Sequence, residues 1–202
     1  MSELLKETSI ILENERVLIR PLGLSDHEYL LPFSLNEPEI WRYSSLGAAG
    51  AENLTTYIQT AVNDREKGNA YPFIIYDKLA DSYAGSTRYY DIQLAYQTLQ
   101  LGYTWYGKEF QGTGLNKNCK YLLLNYAFED LGIERVEFRA DHSNHTSVAA
   151  MKSIGCKIEG VLRNHVPNGH GGRKDIIILS ILKKEWFDFA KSNLEEKLLD
   201  AN

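Results

Sequence analysis

The sequence has 202 residues, of which 44% are hydrophobic and 24% are charged, as is usual for a folded globular protein. A chain of this length suits a single domain over residues 1–202, and it buries enough surface to fold without disulfide bonds or a structural metal. The formal net charge of −5 disfavours a nucleic-acid-binding surface.

The N-terminal half of the chain predicts a strand and then several helices. Residues 17–20 form an apolar strand pattern, and Ser25 with Glu28 has the spacing of a capping box that opens a short helix. A further helix is predicted around residues 36–43. A longer helix is predicted at residues 52–67, where a glycine follows as a C-cap.

Three strands are predicted next. Residues 71–76, 83–90 and 98–106 are rich in aromatic and β-branched residues and are separated by polar turns. Because these turns are too short for parallel crossovers, the three strands should form an antiparallel meander.

The C-terminal half alternates helices with strands. An amphipathic helix is predicted from apolar residues at helical spacing, namely Leu115, Cys119, Leu122, Leu123, Tyr126 and Ala127. Residues 136–140 predict a strand, and Asn144 caps a second helix. Two strands, at residues 157–163 and 175–182, and a helix from Lys184 follow. This order predicts a mixed α/β sheet with helices on both of its faces.

The two cysteines and the N-terminus limit the class of protein. Cys119 and Cys156 are too few for a disulfide framework or a four-ligand zinc site, and their apolar neighbours predict buried free thiols. No apolar run reaches the roughly 18 residues of a membrane span. Glu3 and Glu7 stand where a signal peptide has basic residues. We therefore expect a cytoplasmic protein, as a monomer or homodimer, with neither nucleic acid nor a membrane as a partner.

A glycine turn joins the third strand of the meander to the amphipathic helix. Gly112 and Gly114 allow a tight turn that exposes successive backbone N–H groups at a helix N-terminus, where a phosphate is favoured. On spacing alone an ordinary strand-to-helix turn is the simpler interpretation. The Walker loop and the dinucleotide fingerprint are both excluded, because Lys117 does not fit either spacing.

The glycine turn also carries a family resemblance. Q-G-T-G at residues 111–114 resembles the pyrophosphate loop of GNAT acetyltransferases, in the short form of the RimJ/RimL-like branch. Further segments follow in the order of that branch, at residues 15–22 (E-R-V-L-I-R-P-L), 101–105 (L-G-Y-T-W), 126–137 (Y-A-F-E-D-L-G-I-E-R-V-E), 144–156 (N-H-T-S-V-A-A-M-K-S-I-G-C), 159–165 (E-G-V-L-R-N-H) and 173–186. The resemblance covers residues 12–187 and implies a mostly antiparallel, twisted sheet of six or seven strands with a central, splayed parallel pair.

The resemblance implies acetyl-CoA as the co-substrate, no metal, and a binding site in the wedge of the splayed pair. The diphosphate would be held by the backbone N–H groups of Gln111, Gly112, Thr113, Gly114, Leu115 and Asn116. The pantetheine arm would pair with the strand residues Tyr103, Thr104, Trp105 and Tyr106. One N–H group of this strand would polarise the thioester carbonyl. Asn144 matches the asparagine that bonds the pantetheine arm, a role compatible with its helix cap.

The resemblance further implies a donor to the sulfur of the leaving thiolate. Many GNAT proteins place a tyrosine seven residues after the asparagine, where this sequence has Met151. The RimJ/RimL-like branch uses a serine three residues after the asparagine, and that position is Ser147. A serine on the inner face of a helix can also bond the preceding turn. We predict Ser147 as the sulfur's hydrogen-bond donor.

The general base is less sharply indicated. His165 has a suitable ordinary pKa and follows a strand that should border the substrate side, although a surface histidine is the simpler interpretation. Glu109 and Glu159 are alternatives, and a water-mediated base is another. Related ribosomal-protein acetyltransferases carry a glutamate in this region that the sequence lacks.

Two other groups of polar residues are candidates for ligand binding. His142 and His145 lie three residues apart, but no third metal ligand is evident, so we expect solvent-exposed histidines. Lys117, Asn118 and Lys120 are placed on the solvent side of the helix, where they are either ordinary surface residues or reach the 3′-phosphate of CoA.

The resemblance implies acetyl transfer to a primary amine, either a protein N-terminal α-amine, toward which the RimJ/RimL-like branch points, or a small-molecule amine. An α-amine (pKa about 8) is closer to its neutral, nucleophilic form at pH 7 than a lysine (about 10.4). A non-catalytic CoA-binding sensor or assembly module is the alternative from another class, favoured by Met151 and the missing glutamate. A mixed-sheet protein that never binds CoA is the third.

Overall fold

The computed structural model of the protein describes residues 9–44, 46–168 and 171–199. Glu3 and Glu7, on which the expectation about the N-terminus rests, lie outside these ranges. Eight strands form one sheet in the order β1-β2-β3-β4-β5-β6-β8-β7. They are β1 (Leu12–Glu13), β2 (Val17–Pro21), β3 (Ala70–Asp77), β4 (Ser82–Gln93), β5 (Thr98–Tyr106), β6 (Arg135–Asp141), β7 (Lys157–Pro167) and β8 (Arg173–Leu182).

The mixed sheet confirms the predicted fold class. All neighbouring strands are antiparallel except β5 and β6, which run parallel. The count of eight exceeds the expected six or seven because β1 has only two residues, too few to give a period in the sequence. No helix in the described ranges is long and apolar enough to cross a membrane.

The helices cover both faces of the sheet, as predicted. They are α1 (His27–Asn36), α2 (Ala51–Glu66), α3 (Leu115–Asn125), α4 (His145–Ser153) and α5 (Lys191–Leu199). A π-helical turn, Tyr126–Asp130, extends α3, and a short turn at Lys183–Glu185 and a π-helical turn at Trp186–Ala190 precede α5.

Two predictions for the first helices are wrong. The helix α1 begins at His27, and the reciprocal cap is made by Asp26, whose Oδ2 accepts from the Gly23 N–H at 2.8 Å, rather than by Ser25 and Glu28. Arg20 fixes Asp26 by donating two hydrogen bonds to its carboxylate, at 2.9 and 2.7 Å. The helix predicted at residues 36–43 is a single 3₁₀ turn, Pro38–Trp41.

The core lies on both faces of the sheet. On one face α2 packs through Tyr57, whose hydroxyl accepts from the Trp105 indole N–H at 3.3 Å. On the other face α3 buries Leu115 and Leu123 completely, and the Tyr89 hydroxyl donates to the Leu123 carbonyl at 2.5 Å. The central strands β4 and β5 therefore lie between two helical layers, with Trp105 of β5 bonded to one layer and Tyr89 of β4 bonded to the other.

Candidate functional site

The strands β5 and β6 diverge to form a wedge. Their parallel pairing joins Thr98–Gln100 to Arg135–Glu137 and then stops, so the part of β5 from Leu101 to Tyr106 has no strand partner on its β6 side. Two ordered segments begin at the wide end of this wedge, the glycine turn after β5 and the helix α4 after β6.

A β-bulge interrupts β5 inside the wedge. Trp105 lies opposite Ser86 and Gly102 lies opposite Arg88, so that Tyr103 and Thr104 share one position on the neighbouring strand β4. Tyr103 has a backbone φ of 51°, in the left-handed region that non-glycine residues seldom adopt. The bulge turns this part of the backbone out of the regular ladder.

The glycine turn leaves a row of amides without partners. Gly112 and Gly114 have φ values of 77° and 86°, which explains the requirement for glycine at both positions. The Gln111 N–H donates to the Lys108 carbonyl at 3.1 Å, and the Leu115 N–H approaches the Thr113 hydroxyl at 3.4 Å. Among the described residues, four backbone N–H groups of this segment donate to no acceptor, those of Gly112, Thr113, Gly114 and Asn116.

Side chains from elsewhere in the fold hold the turn in place. Arg16 pairs with the buried Asp77 at 2.7 Å, and its Nη1 reaches the Thr113 carbonyl at 3.4 Å. Asn118 accepts from the Asn14 side chain at 2.8 Å and donates to the Gly114 carbonyl at 3.2 Å. The expectation that Asn118 lies on the solvent side of the helix is wrong, because it faces the β1–β2 turn and is buried.

Lys120 is also buried, against expectation. Only 5% of its surface is exposed, its Nζ donates to the Thr104 Oγ1 at 2.8 Å, and it lies 5.9 Å from the centre of the Phe138 ring. Burial lowers the pKa of the Lys120 ammonium to about 8. The sequence held one sign that Lys120 is buried. It lies four residues before the buried Leu124, and residues four apart share one face of a helix.

Asn144 and Ser147 lie together at the start of α4. The Asn144 Oδ1 accepts from the Ser147 N–H at 3.1 Å, which confirms the predicted helix cap. The Ser147 hydroxyl is partly buried and makes no hydrogen bond to another described residue, so it does not bond the preceding turn. Met151, one turn further on, is buried.

The candidate bases lie in different surroundings. His165 is an exposed residue on β7, two strands away from β6, and its carbonyl accepts from Arg173. Glu109 is exposed beside the glycine turn. Glu159 accepts from Ser180 and Arg135, and these contacts lower the pKa of its carboxyl, which weakens it as a base.

The other candidate ligands are His142, His145 and the two cysteines. His142 and His145 are exposed, and no group of three or more potential metal ligands occurs in the described ranges. Cys119 and Cys156 are buried free thiols, as predicted. Burial raises the pKa of each thiol to about 12, which disfavours the reactive thiolate.

Four aromatic residues, Trp41, Tyr90, Tyr103 and Trp105, form an aromatic wall on the α1–α2 side of β5. Sequence reasoning missed Arg88, a buried cation beside this wall. Trp105 contacts Trp41, with ring centres 4.9 Å apart, and Tyr103 contacts Tyr90 at 5.0 Å. The Arg88 guanidinium lies over the rings of Tyr57 and Tyr103, and Arg88 is 2% exposed. The signal was its place in β4, where alternation puts position 88 on the same face as the buried Ala84 and Ser86.

Comparisons with known proteins agree with this geometry. The family described as "Acetyltransferase (GNAT) domain" matches residues 16–157. The "Putative ribosomal N-acetyltransferase YdaF" of Bacillus subtilis (strain 168) is 28% identical over 178 residues, which cover 86% of this chain and 94% of that protein.

Two solved structures show the same fold. A GCN5-related N-acetyltransferase from Brucella melitensis is 22% identical, with a TM-score of 0.86 over 96% of this chain and 87% of that one. The microcin C7 self-immunity acetyltransferase MccE, in complex with acetyl-CoA and AMP, is also 22% identical, with a TM-score of 0.72 over 84% and 93% of the two chains.

Proposed function

This chain belongs to the GNAT acetyltransferase family, in its RimJ/RimL-like branch, and from that membership we propose that it moves the acetyl group of acetyl-CoA directly to a primary amine within one ternary complex. The observation that carries the proposal is the row of unpartnered amides at the glycine turn, next to the open edge of β5. The proposal has three parts, which concern the cofactor, the thioester and the acceptor.

The glycine turn is proposed to bind the diphosphate of acetyl-CoA. The amides of Gly112, Thr113, Gly114 and Asn116 stand at the N-terminus of α3, where helix dipole and free donors together favour an anion. The Gln111 amide contributes less, because it is bonded to Lys108. Its side chain instead donates to the Tyr106 carbonyl at 3.0 Å and fixes the start of the turn.

The open edge of β5 is proposed to bind the pantetheine arm, with Tyr103, Thr104, Trp105 and Tyr106 acting as an added strand would. The bulge interrupts the ladder with β4 at Tyr103 and Thr104, and we propose that an N–H group there donates to the thioester oxygen. The Asn144 Oδ1 is used in the helix cap, and the Nδ2 remains to donate to the arm.

Ser147 is proposed to donate a hydrogen bond to the sulfur of the departing thiolate. As the neutral amine attacks the thioester carbon, the C–S bond breaks and negative charge develops on the departing sulfur. The Ser147 hydroxyl, partly buried and without a competing acceptor among the described residues, donates a hydrogen bond to that charge. Met151 has no proton to give at the position that many family members use.

The acceptor amine is proposed to enter from the α1–α2 side, opposite the glycine turn. The aromatic wall borders this side. Lys174 of β8 holds the segment after Trp41 by donating to the Tyr43 carbonyl at 2.9 Å. A protein N-terminal α-amine or a small-molecule amine fits the chemistry, because each supplies a nucleophilic primary nitrogen once its ammonium proton is lost, and its second proton becomes acidic after attack. His165 or a water accepts that proton.

A screen of primary amines with acetyl-CoA, read by release of free thiol, tests the proposal. Turnover above the rate of acetyl-CoA hydrolysis supports the enzyme. Tight acetyl-CoA binding without transfer to any peptide, amino acid or polyamine would favour the non-catalytic module, for which Met151 is the supporting observation.

A further inference from the structure

Arg88 is a buried cation that the acetyl transfer described above does not use. It lies on β4, its side chain is 2% exposed, and its guanidinium lies between two tyrosine rings. The distances from the guanidinium carbon are 4.9 Å to the centre of the Tyr57 ring and 4.2 Å to the centre of the Tyr103 ring.

No residue in the described ranges pairs its charge with the Arg88 guanidinium. Arg88 takes part in none of the ion pairs among the described residues, and its Nε and Nη2 are buried without a hydrogen-bond acceptor there. Two aromatic faces offset part of the cost of burial. A buried guanidinium without an anion nevertheless remains unfavourable, because each unsatisfied donor has lost its water.

The two unpartnered atoms form the edge of arginine that fits a carboxylate. Arg16 of the same chain shows this fit, since its Nε and Nη2 donate to the two oxygens of Asp77 at 2.8 and 2.7 Å. A planar carboxylate accepts both bonds side by side, a geometry that lysine cannot reproduce. Arg88 presents the same pair of donors, but no carboxylate of the described residues accepts from them.

The position of Arg88 connects this edge to the proposed reaction. Tyr103, which covers one face of the guanidinium, belongs to the bulge of β5 beside the wedge, and 42% of its side chain is exposed. Of the two rings over the guanidinium, Tyr103 is exposed and Tyr57 is buried, so a ligand on the α1–α2 side would approach Arg88 past Tyr103.

We propose that Arg88 binds a carboxylate of the acceptor, so that the substrate is an amine that also carries a carboxylate. This inference rests on the proposed acetyl transfer and narrows its acceptor class. The carboxylate belongs either to a free amino acid or to an acidic residue beside the α-amine of a peptide. Arg88 is thus a specificity residue that holds the amine against the thioester.

Matched pairs of amines test the proposal. One arm compares free amino acids with their amides, and the other compares peptides whose second residue is Asp or Asn. The wild-type protein should prefer the carboxylate member of at least one arm by about 100-fold in kcat/KM, as expected for a bidentate charged pair. Arg88→Met should remove that preference and leave the amide rate within a few fold. Arg88→Lys should restore little of it.

The control variant is Arg65→Met, which removes another arginine that lies over a tyrosine ring, 5.8 Å from the centre of Tyr71, and should keep the preference. Melting temperatures establish that each variant folds. Equal rates for both members of every pair, or an equal loss for both in Arg88→Met, would overturn the proposal.

Binding gives a second readout that needs no turnover. The N-acetylated products of each pair are titrated calorimetrically into the CoA-loaded protein, and the carboxylate member should bind more tightly only when Arg88 is present. Equal affinities would overturn the carboxylate site, whereas a protein that does not bind acetyl-CoA would contradict the proposed function instead.

Discussion

Lys120 donates a hydrogen bond from its Nζ to the Oγ1 of Thr104 at 2.8 Å, and so ties the helix after the glycine turn to the strand before it. Thr104 lies in the bulge of β5, and its Oγ1 also lies 2.7 Å from that of Thr87 on β4. A buried ammonium thus holds the two segments that the proposed site needs at a fixed separation.

Lys120→Met should change how stability depends on pH. Burial lowers the pKa of the Lys120 ammonium from 10.5 to about 8 in the folded protein. Between these values the unfolded chain binds more protons than the folded one, so the lysine makes the free energy of unfolding rise with pH. The free energy of unfolding of the wild type, minus that of Lys120→Met, should therefore increase by about 2 kcal/mol from pH 7.5 to pH 10.

Urea unfolding at several pH values measures this difference. Lys67→Met, which removes an exposed lysine, is the control and should show a nearly constant difference from the wild type. A constant difference for Lys120→Met as well would mean that its ammonium is solvated in the folded protein.

Gly114→Val should abolish acetyl-CoA binding. At a φ of 86° a β-branched side chain is strained, and the added methyl groups stand among the amides proposed to bind the diphosphate. Acetyl-CoA at a hundred times its Kd should stabilise the wild type by about 2.7 kcal/mol, which a thermal shift detects. The variant should show no shift.

Gly50→Val provides the control. Gly50 is the N-cap of α2 and has a φ of 87° and a ψ of 149°, a conformation that also strains valine, at a helix start away from the glycine turn. Both variants should lose about 1–3 kcal/mol of stability, but Gly50→Val should keep its thermal shift. If Gly114→Val kept the thermal shift with acetyl-CoA, the glycine turn would not be part of the binding site.

Ser147→Ala should slow turnover without weakening the cofactor complex. Loss of a positioned donor to the leaving sulfur should lower kcat on the order of 100-fold, while the acetyl-CoA Kd stays within a few fold. Ser153→Ala is the comparison, because Ser153 lies on the same helix but donates to the Ala150 carbonyl at 2.7 Å. An unchanged kcat in Ser147→Ala would show that the serine does not assist the departure of the sulfur.

Much of the fold follows from local patterns. The bounds of β5, residues 98–106, match the predicted strand, and α2 differs from its prediction by one residue at each end. These elements were predictable because their apolar residues repeat with one clear period. The capping box was misplaced because the cap of α1 depends on Asp26, which Arg20 holds from a neighbouring strand.

Sequence reasoning missed the two buried cations, although their positions on β4 and α3 align with buried residues. A charged residue within an amphipathic or alternating segment is ordinarily assigned to solvent, and only tertiary packing places Arg88 between two rings and Lys120 beneath the wedge. The bulge at Tyr103 could not be predicted from the sequence either. Glycine is the usual sign of a positive φ, and here the positive φ occurs at a tyrosine. The least predictable features of this sequence therefore lie around the proposed site.

A crystal structure with bound CoA tests the central claim most directly. We predict diphosphate oxygens at hydrogen-bond distance, about 2.7–3.2 Å, from the amides of Gly112, Thr113, Gly114 and Asn116, with the pantetheine arm along β5. CoA bound elsewhere, or no cofactor at the glycine turn at a saturating concentration, would contradict the account.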